Sequence, residues 1–421
     1  MQFFLRFNAV AVGVCSLFAA ARVTAQDWPQ FLGPDRNLKT TATNLNLAWP
    51  GGEAPALWRK DIGSGWSGPV VAQGKLVVHH RVKDEEVVAC YDALTGEPVW
   101  ESRSATDYRN SMSADSGPRA TPAIAGGRVF TFGAAGLLKC LDFESGKELW
   151  AVDTRKEYES GTGFFGMDCS PLVEGELVLM QIGGRQNRGV GAFDVATGKL
   201  RWSATDHEAG YSSPVAATIG GRRHALFFTR EGLVATDPLN GRVLFQFPWR
   251  SRQNASVNAA SPLVIGDRIV LSASYDTGAV LLQVEGESVR PLWQGDNLIS
   301  SHYASLIHHR DMIFGFHGRV DFPTGAELRA IDAKTGQLLW AMDPVQSGNL
   351  LLVNDSLFAL TEDGELFVAP VSSREFKPVA RAQVLGRETR ANAAFANGIY
   401  YARGKGKLVA LDMRQTSKKA E

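Results

Sequence analysis

The chain has 421 residues, and its 44 Lys and Arg are balanced by 44 Asp and Glu. Hydrophobic residues at 44% and charged residues at 21% exclude a disordered chain, and the lack of a basic excess excludes a nucleic-acid-binding surface. Forty-three glycines and 18 prolines among runs of Val, Ile, Leu and Phe predict many short strands joined by tight turns.

Residues 1–25 read as a secretory signal. Arg6 precedes a small, apolar run from Ala9 to Ala21, and Val23-Thr24-Ala25 fits a small-x-small cleavage site that leaves Gln26 first. The run is too short for a transmembrane anchor. Val14 stands before Cys15 where a lipoprotein signal wants Gly, Ala or Ser, so an exported product without a lipid or transmembrane anchor is expected. Residues 26–55, with Trp28, Phe31 and Trp49, form a lead-in expected to pack over one end of the domain that follows.

From residue 56 the chain repeats. An aspartate, three residues, a glycine and an apolar stretch ending in an aromatic residue recur from Asp92 to Trp100, Asp142 to Trp150, Asp194 to Trp202, Asp237 to Phe245 and Asp332 to Trp340. Trp58 and Trp293 occupy matching places with a degraded turn. The phrase is a hairpin turn: the Asp side chain accepts from backbone N–H groups ahead of it, and Gly takes positive φ without steric cost. These aspartates are therefore assigned to structure, not to catalysis.

A second phrase opens each repeat, as in Gly68-Pro69-Val70, Thr121-Pro122-Ala123, Ser170-Pro171-Leu172, Ser213-Pro214-Val215 and Ser261-Pro262-Leu263. Ser305-Leu306-Ile307 has lost its proline, and weaker copies begin near Leu350 and Asn392. The openings lie 42 to 53 residues apart, the length of a four-stranded blade. Eight openings predict an all-β, eight-bladed β-propeller of four-stranded antiparallel blades over residues 56–413; seven blades is the alternative. The last blade lacks a fourth strand, which Ala56 to Lys60 is expected to supply, closing the ring. Residues 414–421 are expected to be a disordered tail.

Reaction motifs are missing. Gly161-x-Gly163-x-x-Gly166 has dinucleotide spacing but lies in a loop that runs into a repeat opening, not in a βαβ unit. Gly184 to Gly189 has Walker-A spacing but is followed by Val190 instead of Lys. Cys90, Cys140 and Cys169 are an odd count, read as buried free thiols. His79-His80 on a strand would face opposite sides, and His308-His309 reads as a turn; ordinary exposed histidines are expected and no metal site.

Aligning the repeats yields the candidate site. Three places before each opening stand Trp66, Arg119, Asp168, Tyr211, Ala259 and Tyr303; one place earlier come Asn258 and His302, and Arg390 and Asn392 lie near the last opening. These positions ring the mouth of the central channel, so Trp66, Arg119, Asp168, Tyr211, Asn258, His302, Tyr303 and Arg390 are the candidate ligand-binding residues.

The Asp-x-x-Thr-Gly-x-x-x-Trp phrase at Asp92, Asp194 and Asp332, with its Ser-Pro openings, resembles the pyrroloquinoline-quinone (PQQ)-like propeller repeat, over residues 28 to 412. Asp27-Trp28-Pro29-Gln30-Phe31-Leu32-Gly33-Pro34 resembles the start of exported bacterial members. Two branches of that family imply different functions. The outer-membrane assembly propeller implies a monomeric, non-catalytic scaffold of the periplasm or cell envelope, binding an envelope protein or small ligand at the channel face. The quinoprotein dehydrogenases imply PQQ and Ca²⁺ in the channel, with PQQ stacked on Trp66 or Tyr211, Arg119 pairing its carboxylates and Asp168 as base or metal ligand. This chain has no adjacent cysteine pair of the kind many alcohol-oxidising members carry, and the scaffold is the expected function.

Overall fold

Eight antiparallel four-stranded blades, the seventh extended by one short parallel strand from the lead-in, follow one another around a central channel in a computed structural model that describes residues 26–319 and 325–415. Blade 1 comprises Val70–Ala72, Lys75–Val82, Glu85–Asp92 and Pro98–Ala105. Blades 2 to 7 begin with the strands Ala123–Ala125, Leu172–Glu174, Val215–Ile219, Leu263–Ile265, Ile307–His309 and Gly348–Val353. Blade 8 takes Ala394–Ala396, Ile399–Gly404 and Lys407–Asp412 from the C-terminal end and its outermost strand, Ala56–Asp61, from the other end of the chain. Trp58 pairs with Ala410 and Lys60 with Leu408 in that closure. The buried Arg403 guanidinium stitches the same seam, donating to the carbonyls of Gly63, Ser67 and His79.

Strand composition follows position in the blade. Middle strands are sandwiched between neighbouring blades and are apolar on both faces, as in Val87-Val88-Ala89-Cys90-Tyr91, all buried. The outermost strand Pro98–Ala105 alternates exposed and half-buried residues along most of its length. Cys90, Cys140 and Cys169 are free and buried, as their odd count implied.

The Asp-to-Gly phrase joins the third strand to the fourth in blades 1 to 4 and 6. Asp92 Oδ1 accepts from the Thr95 N–H (2.8 Å), the Leu94 N–H (3.0 Å) and the Thr95 hydroxyl (2.9 Å), and Gly96 follows at φ +74°. The repeat's tryptophan then docks on the next blade's turn. Trp58 Nε1 donates to Ala93 O at 3.2 Å, Trp100 to Phe143 O at 3.0 Å, Trp150 to Val195 O at 3.0 Å and Trp202 to Pro238 O at 2.9 Å. Glycine is required there by close approach as well as by φ: a Cβ on Gly146 would lie 2.4 Å from the Trp100 ring.

The segment from Gln26 to Trp49 runs along the inner edges of six blades. Trp28 bridges to Val71, Pro29 O accepts from Ile124 N–H, Lys39–Thr40 pairs in parallel with Leu352–Val353, and Asn46 N–H donates to Met413 O. Arg36, buried, donates to Pro214 O at 2.7 Å and also to Pro171 O. Burial pushes its pKa down to about 9. The strand directions put this segment and the Asp–Gly turns at one end of the ring, and the residues preceding each first strand at the other.

The leader expected over residues 1–25 lies outside the described residues, as do residues 416–421 of the expected tail. Arg414 and Gln415 pair with Leu45 and Asn44, so ordered pairing runs past residue 413. Among the described residues no helix is long and apolar enough to cross a membrane.

The histidines need correction. His79 and His80 are buried in the second strand of blade 1 instead of exposed. His80 Nδ1 accepts from the Gly63 N–H, and burial, with Arg403 nearby, pushes its pKa down to about 3. His308 and His309 end a strand and are not in a turn.

Candidate functional site

The first strands of blades 2 to 6 are each preceded by a serine or threonine whose hydroxyl accepts from the blade before it. Thr121 Oγ1 accepts from Gly68 N–H at 3.0 Å, Ser170 from Thr121 at 2.9 Å, Ser213 from Ser170 at 2.9 Å, Ser261 from Ser213 at 3.3 Å and Ser305 from Ser261 at 3.1 Å. This belt ties blades 1 to 6 side to side at the channel. It is the physical reason for the Ser/Thr before each proline, and it fixes the residue two places earlier at the mouth.

Seven of the eight candidate residues meet in one pocket there: Trp66, Arg119, Asp168, Tyr211, His302, Tyr303 and Arg390. Asn258 is not among them. Its amide donates to Thr229 O (2.8 Å) and Trp249 O (3.0 Å), and its carbonyl accepts from Tyr211 and Ser212 N–H, so it braces blade 4 behind the pocket wall. The cavity measures about 130 Å³. Phe31 of the lead-in lines it, so the pocket abuts the segment that crosses the channel; Phe165, Val257 and Ala259 supply apolar wall.

Charge is distributed unevenly around the ring. Arg390 of blade 8 and Arg119 of blade 2 lie over the Trp66 ring of blade 1, at 4.7 and 4.3 Å from its centroid. Both guanidinium groups lie within cation–π range of this one ring. Arg119 Nη1 and Nη2 donate to Gly117 O at 3.3 Å and Asp115 O at 3.2 Å, and its buried Nε has no partner. Arg390 Nε lies 3.2 Å from Glu362 Oε2, an ion pair without hydrogen-bond alignment. Glu362 also accepts from Tyr303 Oη at 2.7 Å; burial raises its pKa, and Arg390 opposes the rise.

Asp168 faces the pocket next to Arg119. By exposed area it is half-buried, yet protein surrounds it, and that desolvation pushes its pKa up to about 7 against the pull of Arg119. Tyr211 Oη accepts from the N–H groups of Phe164 (2.6 Å) and Phe165 (3.3 Å), which pins the loop after Tyr158 to the mouth. His302 Nε2 contacts Tyr275 Oη at 2.9 Å.

Repeat alignment missed Phe31, Phe165 and Glu362, which lie outside the opening phrase. Glu362 follows the second strand of blade 7, so no comparison of openings could reach it. The adjacent Phe164-Phe165 pair in a long loop was the available signal for the wall.

These residues do not fit PQQ with Ca²⁺. Two guanidinium groups already lie over the Trp66 ring, and about 130 Å³ is well below the roughly 300 Å³ at which pockets for larger ligands begin. Calcium takes six to eight oxygen ligands, whereas Asp168 is the one pocket-lining carboxylate and has Arg119 beside it. Among the described residues no group of three or more His, Cys, Asp and Glu is placed to hold a metal.

A family model described as outer membrane protein assembly factor BamB matches residues 83–321. The outer membrane protein assembly factor BamB of Burkholderia pseudomallei is 25% identical over 387 residues, spanning 87% of this chain and 92% of that protein. The crystal structure of BamB from Moraxella catarrhalis superposes with a TM-score of 0.61 at 16% identity, covering 87% of this chain and 98% of that one. Quinohemoprotein alcohol dehydrogenase from Comamonas testosteroni gives 0.60 at 14% identity, covering 94% and 82%. At such identities the structural likenesses establish the propeller fold alone. The family-model match takes in more than half of the residues, and the chain thus belongs to the BamB family of PQQ-like repeat propellers.

Proposed function

We propose that the protein is a non-catalytic docking scaffold of the cell envelope, exported to the periplasm and acting as a monomer in the assembly of outer-membrane proteins. Its open channel mouth engages another envelope protein. The observation that carries this reading is the asymmetry of the ring's two ends. The lead-in crosses one end, while the other presents a mouth of non-repeating side chains flanked by the loops 106–118 and 159–167. Rigid scaffolds place recognition on such loops. Both loops are anchored to the mouth, through Asp115 accepting from Gly65 N–H and through Tyr211. Met112, 58% exposed at the tip of the first loop, supplies an apolar contact. Membership of a family described as outer membrane protein assembly factors supports the setting.

Photocrosslinking in cells tests this. A benzophenone side chain at Met112 is expected to capture an outer-membrane assembly component. The same group at Leu239, 78% exposed in a turn at the opposite end, is expected to capture none. Capture from Leu239 alone, or from neither, overturns the reading.

A further inference from the structure

We infer that the channel-mouth pocket is a binding site for a small apolar carboxylic acid, one carboxylate on a compact hydrocarbon body. The inference rests on the mouth being the binding end of the ring and names what its pocket takes.

Size comes first. A sealed apolar cavity of about 150 Å³ accepts benzene, so about 130 Å³ opening at one end suits a ligand with one ring-sized hydrocarbon body and its head group at the opening. Shape and polarity divide the pocket. Phe31, Phe165, Val257 and Ala259 offer hydrocarbon, and blade 5 contributes only Ala259 where its neighbours carry Tyr211 and Tyr303, which leaves room on that side.

The charge selects the sign. Arg390, Trp66 and Arg119 come from three consecutive blades and concentrate two guanidinium groups on one side. Glu362 offsets Arg390. The hydrogen bonds of Arg119 are two to carbonyls, at 3.2 and 3.3 Å, its Nε is unpartnered, and the residue is 7% exposed. A buried guanidinium with spare donors is completed by a carboxylate, whose two oxygens match its planar fork. The Trp66 indole N–H is likewise buried without a partner. Asp168 lines the same pocket beside Arg119, and burial raises its pKa to about 7, so in its protonated form it can donate its O–H to the ligand's carboxylate. An amine would meet two fixed cations and an acid that resists ionisation.

Titration calorimetry on the mature chain at pH 6.5 tests this with three isosteric probes: benzoate, benzyl alcohol and benzylamine. Benzoate is expected to bind about tenfold or more tighter than the alcohol, as a charge-assisted hydrogen bond requires, and benzylamine weakest. Arg119→Met should erase the preference for benzoate, and Arg119→Lys should keep part of it. Ala259→Phe should fill the cavity and abolish binding of all three with Arg119 intact, so a folding defect at Arg119 does not shield the inference. Melting curves accompany each variant. Equal or tighter binding of benzylamine overturns the inference, as does no binding of benzoate, or benzoate binding unchanged in both Arg119→Met and Ala259→Phe. Loss of benzoate binding in a chain that still crosslinks from Met112 overturns the pocket inference alone; benzoate binding without crosslinking overturns the docking reading alone.

Discussion

The Asp–Gly turns and the channel-mouth positions belong to the same repeat, at opposite ends of the ring, and they have diverged in opposite ways. At the turns each copy uses one chemistry: a carboxylate accepting N–H groups, a glycine at positive φ and a tryptophan from the preceding blade lying against it. At the mouth successive copies carry Arg390, Trp66, Arg119, Asp168, Tyr211, Ala259 and Tyr303, no two neighbours alike. The turn must satisfy the same backbone geometry and the same inter-blade contact each time. The mouth residue need only fit beneath a serine belt that already holds the blades together, so its side chain is free to serve a ligand. Uniformity within a repeat therefore marks the fold, and departure from uniformity marks the site.

The sharpest way to break this contrast is Gly146→Val. A side chain there must adopt φ +70° and displace the Trp100 ring. We expect a loss of about 2 to 4 kcal/mol in urea unfolding, with benzoate affinity unchanged in the folded fraction.

A mouth substitution should act differently, through pH. The folded-state pKa of Asp168, about 7, is above its unfolded value, so the folded state binds more protons between those two values. Its contribution is complete below the unfolded pKa and is lost as pH rises toward 7. Asp168→Asn is expected to be more stable than the parent at pH 8, by about 1 to 3 kcal/mol, and to lose that advantage near pH 4. An advantage that does not change with pH would contradict the assignment.

The smallest effect belongs to one turn acceptor. Asp92→Ala removes three hydrogen bonds at an exposed turn and is expected to cost about 1 kcal/mol at pH 7. The Thr95 N–H holds this carboxyl below its ordinary pKa, so its contribution is present at neutral pH and disappears as pH falls through the acid range. The variant and parent should converge there.

Much of this was legible before the fold. The blade count follows from the spacing of the openings, because a repeat that buries its faces only against neighbours must recur with the length of a blade. The orphan strand at Ala56 was legible for the same reason, since blade 8 lacked a partner for Lys407–Asp412. Seven of the candidate residues line one pocket because the repeat brings its openings to one end of the ring. Asn258 was misplaced because adjacent residues ahead of a strand point in different directions, and here its amide turns inward to three carbonyls. His79 and His80 were read as exposed because a polar side chain gives no sign of burial until its partners are known; those partners are Glu86, on the paired strand of the same blade, and Gly63, in the segment that leads into it.

By itself the sequence determined the repeat: its period, its turns, its closing strand and the places where its copies differ. All are local patterns, set by strand propensity and turn chemistry within one blade. Only the tertiary structure decided that Arg36 and Phe31 lie across the channel, that Arg119 and Arg390 lie over one tryptophan, and that burial raises the pKa of Asp168. Those facts depend on which blades become neighbours once the ring closes and on how much water the channel admits, and neither is encoded in any single repeat.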